Sequence, residues 1–264
     1  MRLALGLEYN GTGFYGFQRQ RQSPTIQESL EAALGRVANV PIQVNCSGRT
    51  DTGVHALEQV VHFDTRAERN ERDWVLGCNN YLRPGISALW IRAVDDDFHA
   101  RFSATARTYR YRILNRWVRP GVDRGRMAWF PEPLDDVLMD RAARVLVGTQ
   151  DFSSFRAAGC QASGPVRTVH HVRVSRTGNE VTLEITANAF LYHMVRNIVG
   201  SLVRIGCRQR PPEWLEEVLK IRDRSRAGFT AQAEGLYFVG AAYDRKFGLP
   251  VGQPVAFPRG WNLS

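Results

Sequence analysis

Lysine is almost missing from this chain of 264 residues: Lys220 and Lys246 are its only two, so arginine supplies 33 of the 35 basic side chains. Cysteine is scarce as well. Cys46, Cys78, Cys160 and Cys207 stand far apart with no C-x-x-C pair, which argues against a zinc finger and against a disulfide framework and leaves four idle thiols. No apolar run approaches the roughly 20 residues needed to span a membrane, and the N-terminus lacks the apolar stretch and cleavage site of a signal peptide. A cytoplasmic protein with no membrane partner is therefore expected.

What is present points toward a polyanion. The 35 basic residues face 26 acidic ones, a formal net charge of +9. Guanidinium groups bind phosphate bidentately and stack on bases, so an arginine-rich chain suits RNA or DNA contact. GC-rich codon bias accounts for the preference for arginine over lysine equally well, but it leaves the net charge unchanged. With 44% hydrophobic residues, the chain has enough apolar material for one large domain or two small ones.

Hydrophobic periodicity orders the elements. Leu3, Leu5 and Leu7 alternate along a first strand over residues 2–9 that ends at Asn10-Gly11. Ser23-Pro24-Thr25 then opens a helix with Ile26, Leu30, Ala33, Leu34 and Val37 on one face and Glu28 and Glu31 on the other. Residues 41–45 and 59–63 read as strands, 71–81 as a helix and 87–94 as a strand, a β-α-β-β-α-β order. The second half repeats it with insertions. Strand 108–114 is followed by helix 135–147, whose apolar face is Val137, Leu138, Ala142, Val145 and Leu146. Strands 167–176 and 181–186 hinge at Gly178-Asn179, a long helix covers 190–205, a short one 212–220, and a last strand 235–243. The fold class expected is α+β, two ferredoxin-like or RRM-like β-α-β-β-α-β halves with antiparallel sheets flanking a basic cleft. The boundary falls between 95 and 107, giving an N-terminal half 1–103 and a C-terminal half 104–264.

Four stretches carry chemistry. Ser47-Gly48-Arg49-Thr50-Asp51-Thr52-Gly53-Val54-His55 sets a carboxylate in a glycine-flanked loop between strands, where backbone can approach a ligand; an ordinary turn with Asp51 capping amides fits the spacing too. Asp51 and His55, four residues apart, form a general-base pair or metal ligands only on a helix, which Gly53 opposes. The loop from Asn10 to Arg21 mixes Gly11, Gly13 and Gly16 with Phe14, Tyr15, Phe17 and arginines, suited to phosphate contact with base stacking or to a structural turn. In His99-Ala100-Arg101-Phe102-Ser103-Ala104-Thr105-Ala106-Arg107-Thr108-Tyr109-Arg110-Tyr111-Arg112, Tyr109 and Tyr111 share one strand face and Arg110 and Arg112 the other. Either the arginine face is a basic patch or the tyrosines face a cleft. Arg196 interrupts the apolar helix from Phe190, so it needs a carboxylate partner, with Asp51 the candidate, or else a place on the solvated edge.

Taken together, Gly48 to His55, His99 to Tyr111, the helix from Phe190 to Gly200, Ala233-Glu234-Gly235-Leu236-Tyr237 and the opening Glu8-Tyr9-Asn10-Gly11 with Tyr15 to Gln20 resemble the tRNA pseudouridine synthase A family. The resemblance is collinear from about residue 3 to residue 244. It implies the pseudouridine synthase fold, with Asp51 as the essential aspartate, Tyr109 as the tyrosine that stacks on the target base, Arg196 as the basic residue that pairs with the aspartate, and Arg49 in the RNA-binding cleft. It further implies uridine isomerisation at positions 38, 39 and 40 of the tRNA anticodon stem-loop, by a homodimer without cofactor or metal. Asn10 and Phe17 depart from the Asp and Trp common in close relatives. The tail after Tyr243 carries no transferable motif.

Two other classes compete. A non-catalytic RNA-binding protein of two RRM-like halves explains the charge and the repeat, but gives no reason for a carboxylate that would repel phosphate. A metal-dependent nuclease needs more acidic ligands near Asp51 than Thr50, Thr52 and His55 offer.

Overall fold

The computed structural model describes residues 1–253. It is α+β, as expected, and its described residues divide into two compact units: Met1–Thr105, rejoined by residues 238–253, and Ala106–Tyr237.

In the first unit, strand β1 (Arg2–Tyr9) lies antiparallel between β3 (His55–Asp64) and β4 (Ile86–Val94), with Leu5 opposite Val61 on one side and Ile91 on the other. The two-residue β2 (Asn45–Cys46) pairs with β3. The last strand of the chain, β10 (Leu236–Tyr243), is β3's other neighbour, giving the order β4-β1-β3-β10.

Helix α1 (Ile26–Ala38) starts where Thr25 accepts a hydrogen bond from the Glu28 amide, and α2 (Glu71–Tyr81) where Asn70 does the same for Asp73. The Thr25 cap is the one the Ser23-Pro24-Thr25 opening announced. Ile26, Leu30, Leu34 and Trp74 are buried, and Trp74 packs edge-on against Phe63 with ring centroids 5.5 Å apart. A second cluster holds Ala4, Val60, Trp90, Phe98 and Ala100, against which Tyr243, Phe247, Leu249 and Val251 pack. Gly6 makes room for it, because a Cβ there would come within 2.2 Å of the Trp90 indole. The alternation in β1 therefore does not separate core from solvent: the smaller residues between its leucines are buried as well.

Two expectations fail in this unit for one reason. Glu31 is buried rather than exposed, accepting from Gln27 Nε2 and Arg19 at 2.9 Å and from the Val44 amide at 3.1 Å. Because that carboxylate takes the Val44 N–H, residues 41–44 do not form the expected strand, and only Asn45–Cys46 reach the ladder.

In the second unit, β5 (Ala104–Asn115) runs antiparallel to β9 (Glu180–Ala187), β9 to β8 (Val166–Thr177) and β8 to β7 (Gly148–Asp151). A short β6 (Ala128–Phe130) joins β5 in parallel. Neither β6 nor β7 was foreseen; with three and four residues, they are too short to show a period. One side of the sheet carries the rows Tyr111–Leu183–Val174 and Tyr109–Ile185–Val172, and the other carries Arg110–Glu184–Arg173. The helices are α3 (Asp136–Ala143), α4 (Met194–Gly206) and α5 (Trp214–Ile221).

Three readings of this unit are corrected. Helix α3 stops at Ala143 and tightens into a 3₁₀ turn over Arg144–Leu146, since Gln150 takes the Val145 and Val147 carbonyls; Val137 is exposed rather than core. Helix α4 begins at Met194, not near 190, because His193 adopts a left-handed φ of 58° and the Ala157 amide takes the Tyr192 carbonyl. The Arg110–Arg112 face is no basic patch. Arg110 pairs with Glu184 at 2.8 Å and Arg112 with Glu180 at 2.6 Å across the β5–β9 ladder.

Candidate active site

Asp51 lies in the loop between β2 and β3, half-buried, with Thr50 buried before it and Arg49 exposed. The loop is tied down from three sides. The Tyr9 hydroxyl and Thr50 Oγ1 are 2.7 Å apart, Gln59 Nε2 donates to the Gly48 carbonyl at 2.6 Å, and Ser47 Oγ donates to Gln59 Oε1. Burial raises the Tyr9 phenol far above its ordinary range, against the pull of its Thr50 and Gln59 hydrogen bonds, so it stays a neutral strut. The Asp51 carbonyl accepts from the Val54 amide in a tight turn, which Gly53 completes at φ 79°.

The glycine-aromatic loop after β1 forms the second wall. The Phe17 amide donates to the Thr50 carbonyl at 3.0 Å, and Gly16, at φ 79°, packs so closely that a Cβ would lie 2.8 Å from that oxygen. Gly11 is tighter still, with a notional Cβ 2.1 Å from the Val54 carbonyl oxygen. Its amide donates to His55 Nδ1 at 3.0 Å. That bond makes His55 a buried acceptor that fixes the loop. Phe14 and Phe17 are buried, so those aromatics belong to the turn, while Tyr15 is exposed. Among the described residues, no group of three or more His, Cys, Asp or Glu side chains is placed to hold a metal ion.

Arg49 and Arg101 both act electrostatically on the Cys46 thiol, whose pKa burial nevertheless pushes up to about 12. Arg101 also stands 5.6 Å over the exposed ring of Phe102, which packs on His99. The Asp51 loop is thus bordered within its own unit by guanidinium groups.

In the second unit, Tyr109 meets Phe190 edge-on at 5.0 Å and is half-buried, whereas Tyr111 is fully buried with its hydroxyl donating to the Gln232 carbonyl. The two tyrosines that the sequence put on one face thus differ in setting: Tyr111 is a buried anchor, while Tyr109 is half-buried against Phe190. Arg196 sits in the first turn of α4. Its Nε donates to the Ala231 carbonyl at 2.7 Å, and the Ala231 amide donates back to the Arg196 carbonyl at 3.1 Å. The segment carrying Ala231 is pressed onto α4, since Cβ atoms at Gly200 and Gly228 would lie 1.8 Å and 2.4 Å from facing backbone. Arg224 bridges Asn197 Oδ1, Thr230 Oγ1 and the Gly228 carbonyl, and Asn197 Nδ2 holds the Phe155 carbonyl. Beside Arg196 lies a half-buried polar network that sequence reading missed. The visible signal was Asn197 inside an apolar helix, since a buried amide must find partners.

The comparisons with known proteins decide what this machinery belongs to. The tRNA pseudouridine synthase family matches residues 7–103 and 142–244. The chain belongs to that family. The tRNA pseudouridine synthase A of Pseudoalteromonas atlantica is 52% identical over 250 residues, 95% of this chain and 95% of its own. That of Shewanella halifaxensis is 52% identical over 95% of this chain and 96% of its own, and that of Pectobacterium atrosepticum 51% identical over 98% and 90%. The synthase is accordingly an isomerase that converts uridine to pseudouridine in tRNA. The unforeseen anchors Tyr9, Thr50, Gln59 and Asn197 all fall within the matched residues.

Proposed function

We propose that this synthase isomerises uridines 38, 39 and 40 of the tRNA anticodon stem-loop, acting as a cytoplasmic homodimer through Asp51, Arg196, Tyr109 and Arg49. The reaction breaks the bond from C1′ to uracil N1, turns the base and forms a bond from C1′ to C5; N1 gains a proton and C5 loses one. It has no net redox change and consumes no water. Asp51, charge-compensated by Arg196, acts on the sugar or the base and stabilises the electron-poor intermediate while the detached uracil stays bound.

Arg196, whose Nε donates to the Ala231 carbonyl, is the proposed charge partner of the aspartate. Tyr109, backed by Phe190, offers a stacking face to a base that has left its helix. Arg49 contacts the RNA backbone beside the loop.

The observation that carries this reading is the seat of Asp51: a buried hydrogen-bonded network and two glycine contacts hold its backbone on either side. Catalytic carboxylates need that fixity, because misplacement by about 1 Å costs on the order of 100-fold in rate. A loop serving only as a turn has no such requirement. The test is incubation with unmodified tRNA followed by site-mapping. Pseudouridine confined to positions 38–40 supports the assignment; pseudouridine elsewhere, or binding without conversion, overturns it. Sedimentation at micromolar concentration decides the dimer.

A further inference from the structure

The connection from β5 to β6 has the most exposed aromatic surface in the described chain. Trp117 is 84% exposed and Val122 88%, at the tip of a segment that also holds Arg116, Arg119, Arg124 and Arg126 against a single acid, Asp123. Among the described residues, Arg119, Arg124 and Arg126 have no carboxylate within salt-bridge distance, in contrast with Arg110 and Arg112 on the strand that leads into the segment. The segment is nonetheless ordered at its base. Trp129 Nε1 donates to the Arg116 carbonyl at 2.8 Å, the Tyr237 hydroxyl to the Arg126 carbonyl at 2.6 Å, and the Arg126 and Met127 amides to the Asp123 carbonyl. Arg116 itself bends back to donate to the Val118 carbonyl. A clamped stem thus displays an indole and three unpaired guanidiniums to solvent.

That combination has a specific chemistry. An indole left in water is unfavourable unless something covers it, and unpaired arginines around it select an anionic cover. Nucleic acid supplies both: phosphates for the guanidiniums and a base face for the ring. A second copy of the chain supplies the apolar face but brings the same cluster of arginines across the two-fold axis, where like charges repel.

We propose that the 116–126 segment is a second tRNA-binding element, with Trp117 stacking on a nucleotide remote from the target uridine and Arg119 and Arg124 bound to phosphates. It rests on the reading of Tyr109 as the base-stacking residue. From Tyr109 the strand continues six residues to Asn115, about 20 Å at the rise of an extended chain, so the element touches a different part of the same tRNA. It contributes affinity and leaves the chemical step untouched.

Three variants test this on full-length tRNA: Trp117→Ala, the double variant Arg119→Ala with Arg124→Ala, and Arg141→Ala, an exposed arginine paired with Glu213, as the control. Trp117→Ala should weaken tRNA binding about 10-fold with the salt dependence unchanged. The double variant should lower the slope of log affinity against log salt by about 2. Single-turnover pseudouridine formation at saturating tRNA should match the wild type in both. Binding and slope equal to those of Arg141→Ala overturn the proposal, as does a slower step at saturation, or a shift in sedimentation that makes the segment an interface between copies. Because wild-type conversion is measured alongside, failure of the loop assignment leaves wild-type activity intact, whereas a wild type that converts no uridine overturns the proposed function and the loop with it.

Discussion

Two glycines in one loop separate backbone strain from displacement of Asp51. Gly13 and Gly16 have nearly the same left-handed conformation, φ 81° and 79°. Alanine at either position costs about 1–2 kcal/mol for placing a Cβ in that region. They differ in what the Cβ meets. At Gly13 nothing lies within 4 Å, whereas at Gly16 the Thr50 carbonyl oxygen is at 2.8 Å and the Asp51 carbonyl carbon at 3.2 Å. Regaining ordinary contact at 3.4 Å forces the loop before Asp51 outward by about 0.6 Å. The Phe17 amide bond to Thr50 and the Tyr9–Thr50 contact resist that shift, so the loop deforms at the aspartate.

Gly13→Ala should therefore lose about 1–2 kcal/mol in a urea titration and keep its catalytic rate. Gly16→Ala should lose a further 1–3 kcal/mol from overpacking and fall about 10- to 100-fold in single-turnover pseudouridine formation, with tRNA affinity within a few-fold of wild type. Equal rates for the two variants would refute the idea that packing of one loop on the other positions the carboxylate. A loss confined to affinity would refute the placement of Asp51 at the reacting base.

Other substitutions probe separate links. Asp51→Asn keeps the shape and removes the charge, so it should bind tRNA and form no pseudouridine; substantial turnover by the purified variant would sink the assignment. Glu31→Ala strands the buried Val44 amide and should cost about 2–4 kcal/mol in chemical denaturation, with Glu31→Gln recovering part of it; an unchanged midpoint would count against the carboxylate as the clamp of residues 41–44. His62 is buried with Nδ1 accepting from the Ala100 amide, and burial, then the nearby His99 and Arg2 charges, lower its pKa to about 4. The unfolded chain takes up this proton below about 6.5 while the folded chain does not. Stability should thus fall as pH drops from about 6.5 to about 4, by at most about 3 kcal/mol, and level off below. His62→Gln should remove that part of the pH dependence, and a variant with the wild-type slope would contradict it.

Local interactions account for what was legible in advance. The cap at Thr25, the hairpin at Gly178-Asn179 and the periodicity of α2 and β9 join residues close in sequence, so their pattern can be read without a partner. The Asp51 loop was legible for a different reason: its glycines and charged residues are adjacent in the chain. Distance in sequence hid the rest. Glu31 is buried only because Val44 and Arg19 reach it, and the charges of Arg110 and Arg112 are compensated only because Glu184 and Glu180, some 70 residues on, face them in the ladder. The start of α4 depends on Ala157, which takes the Tyr192 carbonyl, and β10 lies beside β3 although it follows the elements of the second unit. Sequence alone determined the α+β class, most of the longer elements and the glycine-flanked loop that carries Asp51, since these follow from period, caps and local composition. Tertiary structure decided which charges are neutralised, which tyrosine is core and how the aspartate is held, because each depends on partners that only folding brings into contact.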